Sequence, residues 1–192
     1  RLALAESQLR LGLAEGEATL LGILWSEKES LTSRRRAADL LGWYGSPGSA
    51  DRLLELCAGR GAAGSLLCWS AGLAWSRLAA PPNTDDLDSL LAKREDRATK
   101  HYFDMFRARL SVVASCGEDV SCYRSQLGKQ ADWRMTERAV LELGRRQSPG
   151  VDRDALSLDL GRAYPSAHPQ VKEAILVVLE RLVLERPLAS GQ

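Results

Sequence analysis

The sequence lacks an excess of charge of either sign, and it lacks any long apolar run. It has 26 lysines and arginines against 25 aspartates and glutamates, which gives a formal net charge of +1 at pH 7. Proteins whose main partner is DNA, RNA or an anionic membrane surface normally carry a basic excess, so we expect no such partner. The longest apolar runs, residues 20–25 and 174–179, are about six residues long, whereas a helix that crosses a membrane needs roughly 20. We therefore expect no membrane span.

Motifs for metals, cofactors and covalent catalysis are also missing. The few cysteines and histidines do not occur at the Cys-x-x-Cys or His-x-x-x-His spacing that zinc sites use. Glycine-rich phosphate loops, Gly-x-Ser-x-Gly elbows and paired-carboxylate motifs are absent as well. His101 lies inside a helical pattern and His168 precedes a proline at a helix start, positions more typical of structural or surface residues than of catalytic bases. We therefore predict no metal, no cofactor and no catalytic residue.

What the sequence does contain is an internal repeat. Residues 33–42 (SRRRAADLLG) and 135–144 (MTERAVLELG) share alanine at the fifth position, leucine at the ninth and glycine at the tenth. Residues 67–76 (LCWSAGLAWS) keep the alanine, and residues 171–180 (VKEAILVVLE) keep the apolar frame. With a degenerate third unit at 110–111, the tenth positions are 42, 76, 111, 144 and 180, which are 34, 35, 33 and 36 residues apart. Such a period is typical of proteins in which each helical unit stacks on the next.

Each period divides into two helical patterns that are separated by helix-breaking residues. Ser46-Pro47-Gly48, the glycine-rich stretch 59–64 and Pro81-Pro82 interrupt the helical spacing of apolar residues, because proline and glycine disfavour continuation of a helix. No segment shows a sustained alternation of apolar and polar residues, the pattern of a β-strand, so we predict an all-α fold. The predicted single repeat domain covers residues 1–192, with a partial unit at 1–16, units at about 17–45, 49–79, 84–115, 119–146 and 150–184, and a tail at 185–192.

The repeated positions resemble the HEAT-repeat family, whose helix motif is Val-Arg, then Ala, then Leu-Gly. The resemblance covers most of the chain but is weak in the third unit, and Cys68 and Thr136 stand where the family has arginine. It implies a right-handed α-α superhelix, or α-solenoid, of about five helical hairpins. It also implies a non-catalytic scaffold or adaptor that binds a protein partner. The matching positions are Arg34, Ala37, Leu41 and Gly42, then Met135, Ala139, Leu143 and Gly144, then Val171 and Lys172.

Two other functions of HEAT-like proteins remain as alternatives. DNA glycosylases of this kind use tryptophans and a carboxylate on a basic concave face, for which the chain offers Trp43, Trp69, Trp75 and Trp133 with Asp132. Phycobilin-lyase-like proteins are a further enzyme class. An enzyme or nucleic-acid-binding protein is expected to show clustered Lys and Arg beside an aromatic-walled pocket on the second helices of the hairpins. A protein-binding scaffold is expected to show a shallow groove of mixed character there.

The four cysteines form two local pairs. Cys116 and Cys122 flank a break between helices, and Cys57 and Cys68 lie on facing arms of one hairpin around a glycine-rich turn. Both separations allow the α-carbon distance of roughly 4.4–6.8 Å that a disulfide requires. We therefore predict that at least Cys116–Cys122 is oxidised, with four buried reduced thiols as the alternative. The segment CGEDVSCY is also similar to bacterial HEAT-repeat proteins exported from the cytoplasm, and the pairs predict an extracytoplasmic location in the periplasm or cell envelope.

Two groups of residues are candidates for partner binding. Trp43 and Tyr44 follow the repeat glycine at a helix end, and Arg34 and Arg35 belong to a basic run with Arg36 at the start of a helix. Aromatic and arginine side chains are typical of interface hot spots. Packing between repeats is the alternative for the aromatic residues, and ion pairs with Glu27 and Glu29 are the alternative for the arginines.

The last helical pattern, residues 171–184, is apolar on nearly all sides. Such a helix is normally covered on more than one side. We therefore predict that the last helix, with Val177 and Val183 as candidates, contacts another chain or the tail at 187–192, or that the chain is cut from a longer solenoid, since residues 3–12 resemble the second helix of a unit whose first half is missing. Enclosure of this helix by its own repeat is the alternative.

Overall fold

The computed structural model describes residues 1–58, 62–93, 97–128, 132–146 and 152–184, so the predicted tail lies outside the described residues. All regular structure in these ranges is helical and none of it is strand, which confirms the all-α prediction. Two 3₁₀ turns, Pro47–Ser49 and Leu56–Ala58, flank the fourth helix. None of the helices in these ranges is long and apolar enough to cross a membrane. The helices are α1 (Leu2–Arg10), α2 (Ala14–Trp25), α3 (Leu31–Tyr44), α4 (Ala50–Glu55), α5 (Ala62–Leu78), α6 (Thr84–Ala92), α7 (Arg97–Cys116), α8 (Val120–Gln126), α9 (Trp133–Arg145), α10 (Arg153–Ala163) and α11 (Pro169–Val183).

Short polar side chains determine where several helices begin. Ser30 and Asn83 accept hydrogen bonds from the backbone N–H groups of Ser33 (3.0 Å) and Asp86 (2.9 Å), and each bond satisfies a donor that the first turn leaves without a partner. α5 begins at Ala62, inside the stretch 59–64 that was expected to break the helix; Ala62 and Ala63 are strong helix formers, and one glycine in a helix costs only about 1 kcal/mol. Aspartates cap three further helices, α8, α9 and α10, through Asp119, Asp132 and Asp152.

The odd-numbered helices from α3 onward form an inner row. They contact one another in chain order, α3 with α5, α5 with α7, α7 with α9 and α9 with α11. The even-numbered helices pack on their hairpin partners, α2 on α3, α4 on α5, α6 on α7, α8 on α9 and α10 on α11. Because successive helices of a hairpin run in opposite directions, the helices of the inner row run parallel to one another.

The repeat glycine of α3 lies where two inner helices touch. A Cβ atom on Gly42 would lie 2.8 Å from the Cα atom and 3.0 Å from the Cβ atom of Ala74 in α5, well inside the roughly 3.5–4.0 Å at which carbon atoms attract. The next residue, Trp75, is buried and its ring centroid lies 5.2 Å from that of Phe103 on α7. Glycine at this repeated position therefore allows the close approach of α3 and α5.

The two ends of the helix array meet. Arg181 of α11 is buried, and its Nη2 atom donates hydrogen bonds to the backbone oxygens of Leu9 (3.0 Å) and Tyr44 (3.3 Å), at the C-terminal ends of α1 and α3. A cation is favourable there because the carbonyl end of a helix carries partial negative charge. Beside it, the Tyr44 hydroxyl donates to the carboxylate of Glu180 (3.1 Å), which also pairs with Arg10 (3.4 Å). The inner row therefore closes on itself, a contact that the repeat period does not predict.

Candidate functional site

Charged side chains fill part of the interior between the inner helices. Glu137 of α9 is buried, and its carboxylate accepts hydrogen bonds from the Nε atoms of Arg77 (2.8 Å) and Arg109 (2.7 Å), which belong to α5 and α7. The Arg77 guanidinium also lies 3.5 Å from the centroid of the Trp43 ring, a cation–π contact. Burial lowers the pKa of Arg109, and the negative charge of Glu137 opposes this change. One carboxylate therefore links three consecutive inner helices.

A second buried carboxylate, Glu142, lies further along α9. It accepts hydrogen bonds from Arg138 (2.9 Å) and Arg145 (2.7 Å). Burial raises the pKa of Glu142, but the positive charges of these two arginines outweigh that effect and lower the pKa to about 2. Burial lowers the pKa of Arg138 to about 10, so it stays charged at neutral pH. Arg138 also donates to the backbone oxygens of Ser76 and Ala79 (2.7 Å each), and the second cluster therefore ties the C-terminal end of α5 to α9.

These two carboxylates act on stability rather than on chemistry. Both Glu137 and Glu142 are buried, so a ligand in solvent does not reach them. A general acid or base works best with a pKa near the operating pH, whereas the pKa of Glu142 is lowered to about 2. Neither carboxylate therefore forms a ligand site that is open to solvent.

A surface cleft of about 400 Å³ lies between α3 and α5 and is called the α3–α5 cleft below. Its volume falls within the roughly 300–1,000 Å³ that is usual for ligand sites. The residues from α3 have i, i+3, i+4 and i+7 spacing, which places them on one face of that helix. The lining residues are Thr32, Arg35, Arg36 and Asp39 from α3, and Trp69, Ser70 and Leu73 from α5.

The two arginines of the cleft differ in their charge partners. Arg36 lies 3.1 Å from the carboxylate of Glu6 and 3.3 Å from that of Asp39, so its charge is compensated within the protein. Arg35 is exposed, and its Nε atom donates to the Ser70 hydroxyl across the cleft (3.2 Å). No carboxylate among the described residues forms an ion pair with Arg35. Arg35 therefore supplies the uncompensated positive charge of this part of the surface.

An exposed tryptophan forms the aromatic wall of the cleft. Trp69 is 37% exposed, and its ring centroid lies 5.6 Å from those of both Tyr102 and Phe106 on α7. The interplanar angles of 67° and 52° give edge-on and tilted arrangements, which are favourable for aromatic pairs. The two rings hold one side of Trp69 in place, so its remaining surface is presented to solvent at a defined position beside Ser70.

The structure places the partner-binding candidates that were predicted from sequence in different environments, some exposed and some buried. Arg35 lines the cleft, whereas the Nε atom of Arg34 donates to the backbone oxygen of Leu24 (2.8 Å). Trp43 and Tyr44 are buried inside the inner row. Packing between repeats, the alternative for these aromatic residues, therefore describes their position, and a partner does not reach them from solvent.

The two candidate valines of the last helix differ in their exposure to solvent. Val177 is 4% exposed and belongs to the hydrophobic core, whereas Val183, the final residue of α11, is 82% exposed. Val177 therefore lies among the core residues of the described chain, and the contact of the last helix with another chain or the tail stays a prediction. The tail at 187–192 lies outside the described residues.

Both cysteine pairs lie at disulfide distance, as the spacing predicts. The α-carbons of Cys116 and Cys122 are 5.4 Å apart, and those of Cys57 and Cys68 are 4.4 Å apart. The first pair joins the end of α7 to α8, and the second joins the 3₁₀ turn after α4 to α5. Each cross-link would stabilise its hairpin mainly by restricting the unfolded chain.

The sequence alone does not single out the cleft. Trp69 enters only as one of the tryptophans considered for a DNA glycosylase, and the structure does not assemble that set: Trp43 and Trp75 are buried. Trp133 stacks on His168 with ring centroids 4.3 Å apart, and the carboxylate considered with these tryptophans caps α9. The polar face at the start of α3 was a signal available in the sequence, but the facing residues of α5 depend on how the two helices pack.

Comparison with known proteins finds no relative of the chain. No protein-family model matches the chain, and no curated protein or solved structure matches it. Among the residues that the structure describes, no three His, Cys, Asp or Glu side chains are grouped so that they could hold a metal ion. The function is therefore argued from the geometry and charge of the cleft.

Proposed function

We propose that this protein is a non-catalytic, HEAT-like scaffold that binds a protein partner in the α3–α5 cleft. The observation that carries the proposal is the placement of Arg35 and Trp69, both exposed, on facing helices of one cleft. Arginine and tryptophan are among the residues most enriched at interface hot spots. Arg36 is paired with Glu6 and Asp39, so the cleft beside Trp69 has one uncompensated cation rather than the cluster of cations expected for an enzyme or a nucleic-acid-binding protein. Ser70 and Leu73 add the mixed character expected for a protein partner. Because both walls are helices, the backbone of the cleft does not have to become ordered when a partner binds.

The HEAT-like part of the proposal is supported by the way the hairpins pack. The inner row follows chain order, and Gly42 at a repeated position packs on Ala74 of the next inner helix. We propose that the hairpins form a right-handed superhelix of about five units. The contacts of Arg181 then join its two ends and hold α3, one wall of the cleft, against α11.

We also propose that the protein works outside the cytoplasm. Two cysteine pairs at disulfide distance support this location, because disulfides persist in oxidising compartments and are rare in the cytosol. The partner is therefore to be sought in extracts of the cell envelope that are kept under non-reducing conditions.

Partner capture with cleft variants tests the proposal. Immobilised wild-type protein, Trp69→Ala, Arg35→Gln and Arg52→Gln are each incubated with the extract, and bound proteins are quantified by mass spectrometry. Arg52 is the matched control because its side chain is 57% exposed, pairs with Glu55 on the same helix and lies outside the cleft. We expect at least one protein that the wild type and Arg52→Gln retain and that both cleft variants lose. Equal capture by all four proteins, or no capture at all, contradicts the proposal.

A further inference from the structure

We infer that the α3–α5 cleft recognises an acidic segment of its protein partner, with a carboxylate bound by Arg35 and a neighbouring apolar side chain packed on Trp69. The inference rests on the proposed function and adds the chemistry of the partner. It follows from three features of the cleft: one oriented guanidinium, one apolar strip and the carboxylates around them.

The guanidinium of Arg35 is positioned for an anion. Its Nε atom is engaged by the Ser70 hydroxyl at 3.2 Å, which fixes the direction of the side chain across the cleft. The edge formed by the two Nη atoms is then the one that meets a ligand, and this edge bonds both oxygens of a carboxylate in parallel. In the described part of the chain no carboxylate forms an ion pair with Arg35, so one carboxylate of a partner can bind it without displacing a carboxylate of this chain.

An apolar strip lies next to this charge. Trp69 and Leu73 are four residues apart on α5 and therefore lie on the same face of that helix. Tyr102 and Phe106 support the far side of the Trp69 ring. A small inorganic anion would leave this strip uncovered, whereas a peptide that places an apolar side chain beside Asp or Glu would cover it.

The carboxylates around the cleft favour a short acidic segment over a nucleic acid. A nucleic acid lays several phosphates along a groove and needs several cations to neutralise them. Here Glu6 and Asp39 already compensate Arg36 and would repel a run of phosphates. The chain as a whole has a net charge of only +1. One carboxylate on Arg35 matches this arrangement better.

Peptide binding by variants of the full chain tests the inference. The probes are an array of short synthetic peptides that place Asp or Glu beside each apolar residue, a matched array with Asn or Gln in their place, and single-stranded oligothymidylate. The strongest peptide is then titrated by calorimetry into the wild type, Arg35→Gln, Arg35→Lys and Arg52→Gln. We expect the acidic array alone to bind, with affinity unchanged in Arg52→Gln and lower by about tenfold or more in Arg35→Gln, the loss of one charge-assisted contact. Arg35→Lys should fall between, because lysine keeps the charge but loses the paired donors.

Several outcomes would overturn the inference. They are equal binding of the acidic and amide arrays, no binding to either, and the same affinity in Arg35→Gln and Arg52→Gln. If Arg35→Gln and Arg52→Gln have equal melting temperatures, a loss of binding in Arg35→Gln is not caused by unfolding. If Arg35→Gln is unstable, Arg35→Lys is compared with Arg52→Gln instead. Cleft-dependent capture of a protein without binding of acidic peptides rejects the inference and leaves the proposed function standing. Binding of oligothymidylate that depends on Arg35, without peptide binding, rejects both.

Discussion

Replacement of Glu137 by Gln should destabilise the fold strongly. The side chain is 0% exposed, and its carboxylate lies 2.8 Å from Arg77 and 2.7 Å from Arg109, both of which are buried. Glutamine has nearly the same shape, but it is neutral and its amide nitrogen is a donor that faces a guanidinium. The substitution therefore removes the negative charge that two buried cations share.

The size of the effect follows from these contacts in two ways. A hydrogen bond to a charged group contributes roughly 1.5–3 kcal/mol, so the loss of two gives about 3–6 kcal/mol. Removal of one partner from a buried ion pair costs about 3–5 kcal/mol. In a domain of this size each kcal/mol corresponds to roughly 2–4 °C in melting temperature, so a loss of about 3–5 kcal/mol lowers the melting temperature by about 6–20 °C.

Thermal and urea unfolding followed by circular dichroism measure this change, and Glu118→Gln is the matched control. The Glu118 side chain is 91% exposed and pairs with Arg146 at the surface, where an ion pair contributes little to stability. We expect Glu118→Gln to melt close to the wild type. A melting temperature of Glu137→Gln equal to that of Glu118→Gln would refute the reasoning, because it would mean that Arg77 and Arg109 do not depend on this carboxylate.

Four further predictions concern the cross-links, the helix contacts and acid stability. The intact mass should rise by about four units on reduction, two for each disulfide; an unchanged mass contradicts both bridges. Gly42→Leu should cost about 1–3 kcal/mol in urea unfolding because the added side chain overpacks the contact with α5, whereas Gly161→Leu, where an added Cβ meets nothing within 4 Å, should not. Equal stability of the two glycine variants counts against that contact. The pKa of Glu142 is lowered from 4.5 to about 2, so its contribution to stability is complete above about pH 4.5 and is lost as the pH falls towards 2. Glu142→Gln should lack this part of the acid dependence, and an unchanged pH profile of that variant would show that Glu142 does not cause it. Val177→Glu should lower the melting temperature sharply and Val183→Glu should not, and the reverse order would place the exposed face of α11 at Val177.

The run of three arginines at the start of α3 illustrates where prediction from sequence stops. It predicts a basic ridge or a set of ion pairs with nearby glutamates. In the structure Arg34 donates to the backbone of Leu24, Arg35 to Ser70, and Arg36 pairs with Glu6 and Asp39. Successive residues of a helix point in directions about 100° apart, so three identical neighbours meet three different environments. Of these three side chains, Arg35 is the one that is exposed and forms no ion pair with a described carboxylate.

The sequence by itself determined the all-helical class, the starts of several helices and the pairing of the cysteines. These features depend on residues close together in the chain, such as the caps at Ser30 and Asn83 and the sequence separation of 6 between Cys116 and Cys122. Their physical causes, capping, helix breaking and short-loop closure, act locally and leave a local pattern.

The tertiary structure alone decided which charged groups are buried, how the ends of the array meet and where the cleft lies. Arg35 and Ser70 are 35 residues apart, Arg77 and Glu137 are 60 apart, and Tyr44 and Glu180 are 136 apart. Each pair forms because helices from different hairpins pack with a particular rotation and offset. A helix with the same apolar stripe accepts many such rotations, so its own sequence does not specify which polar side chain meets which neighbour.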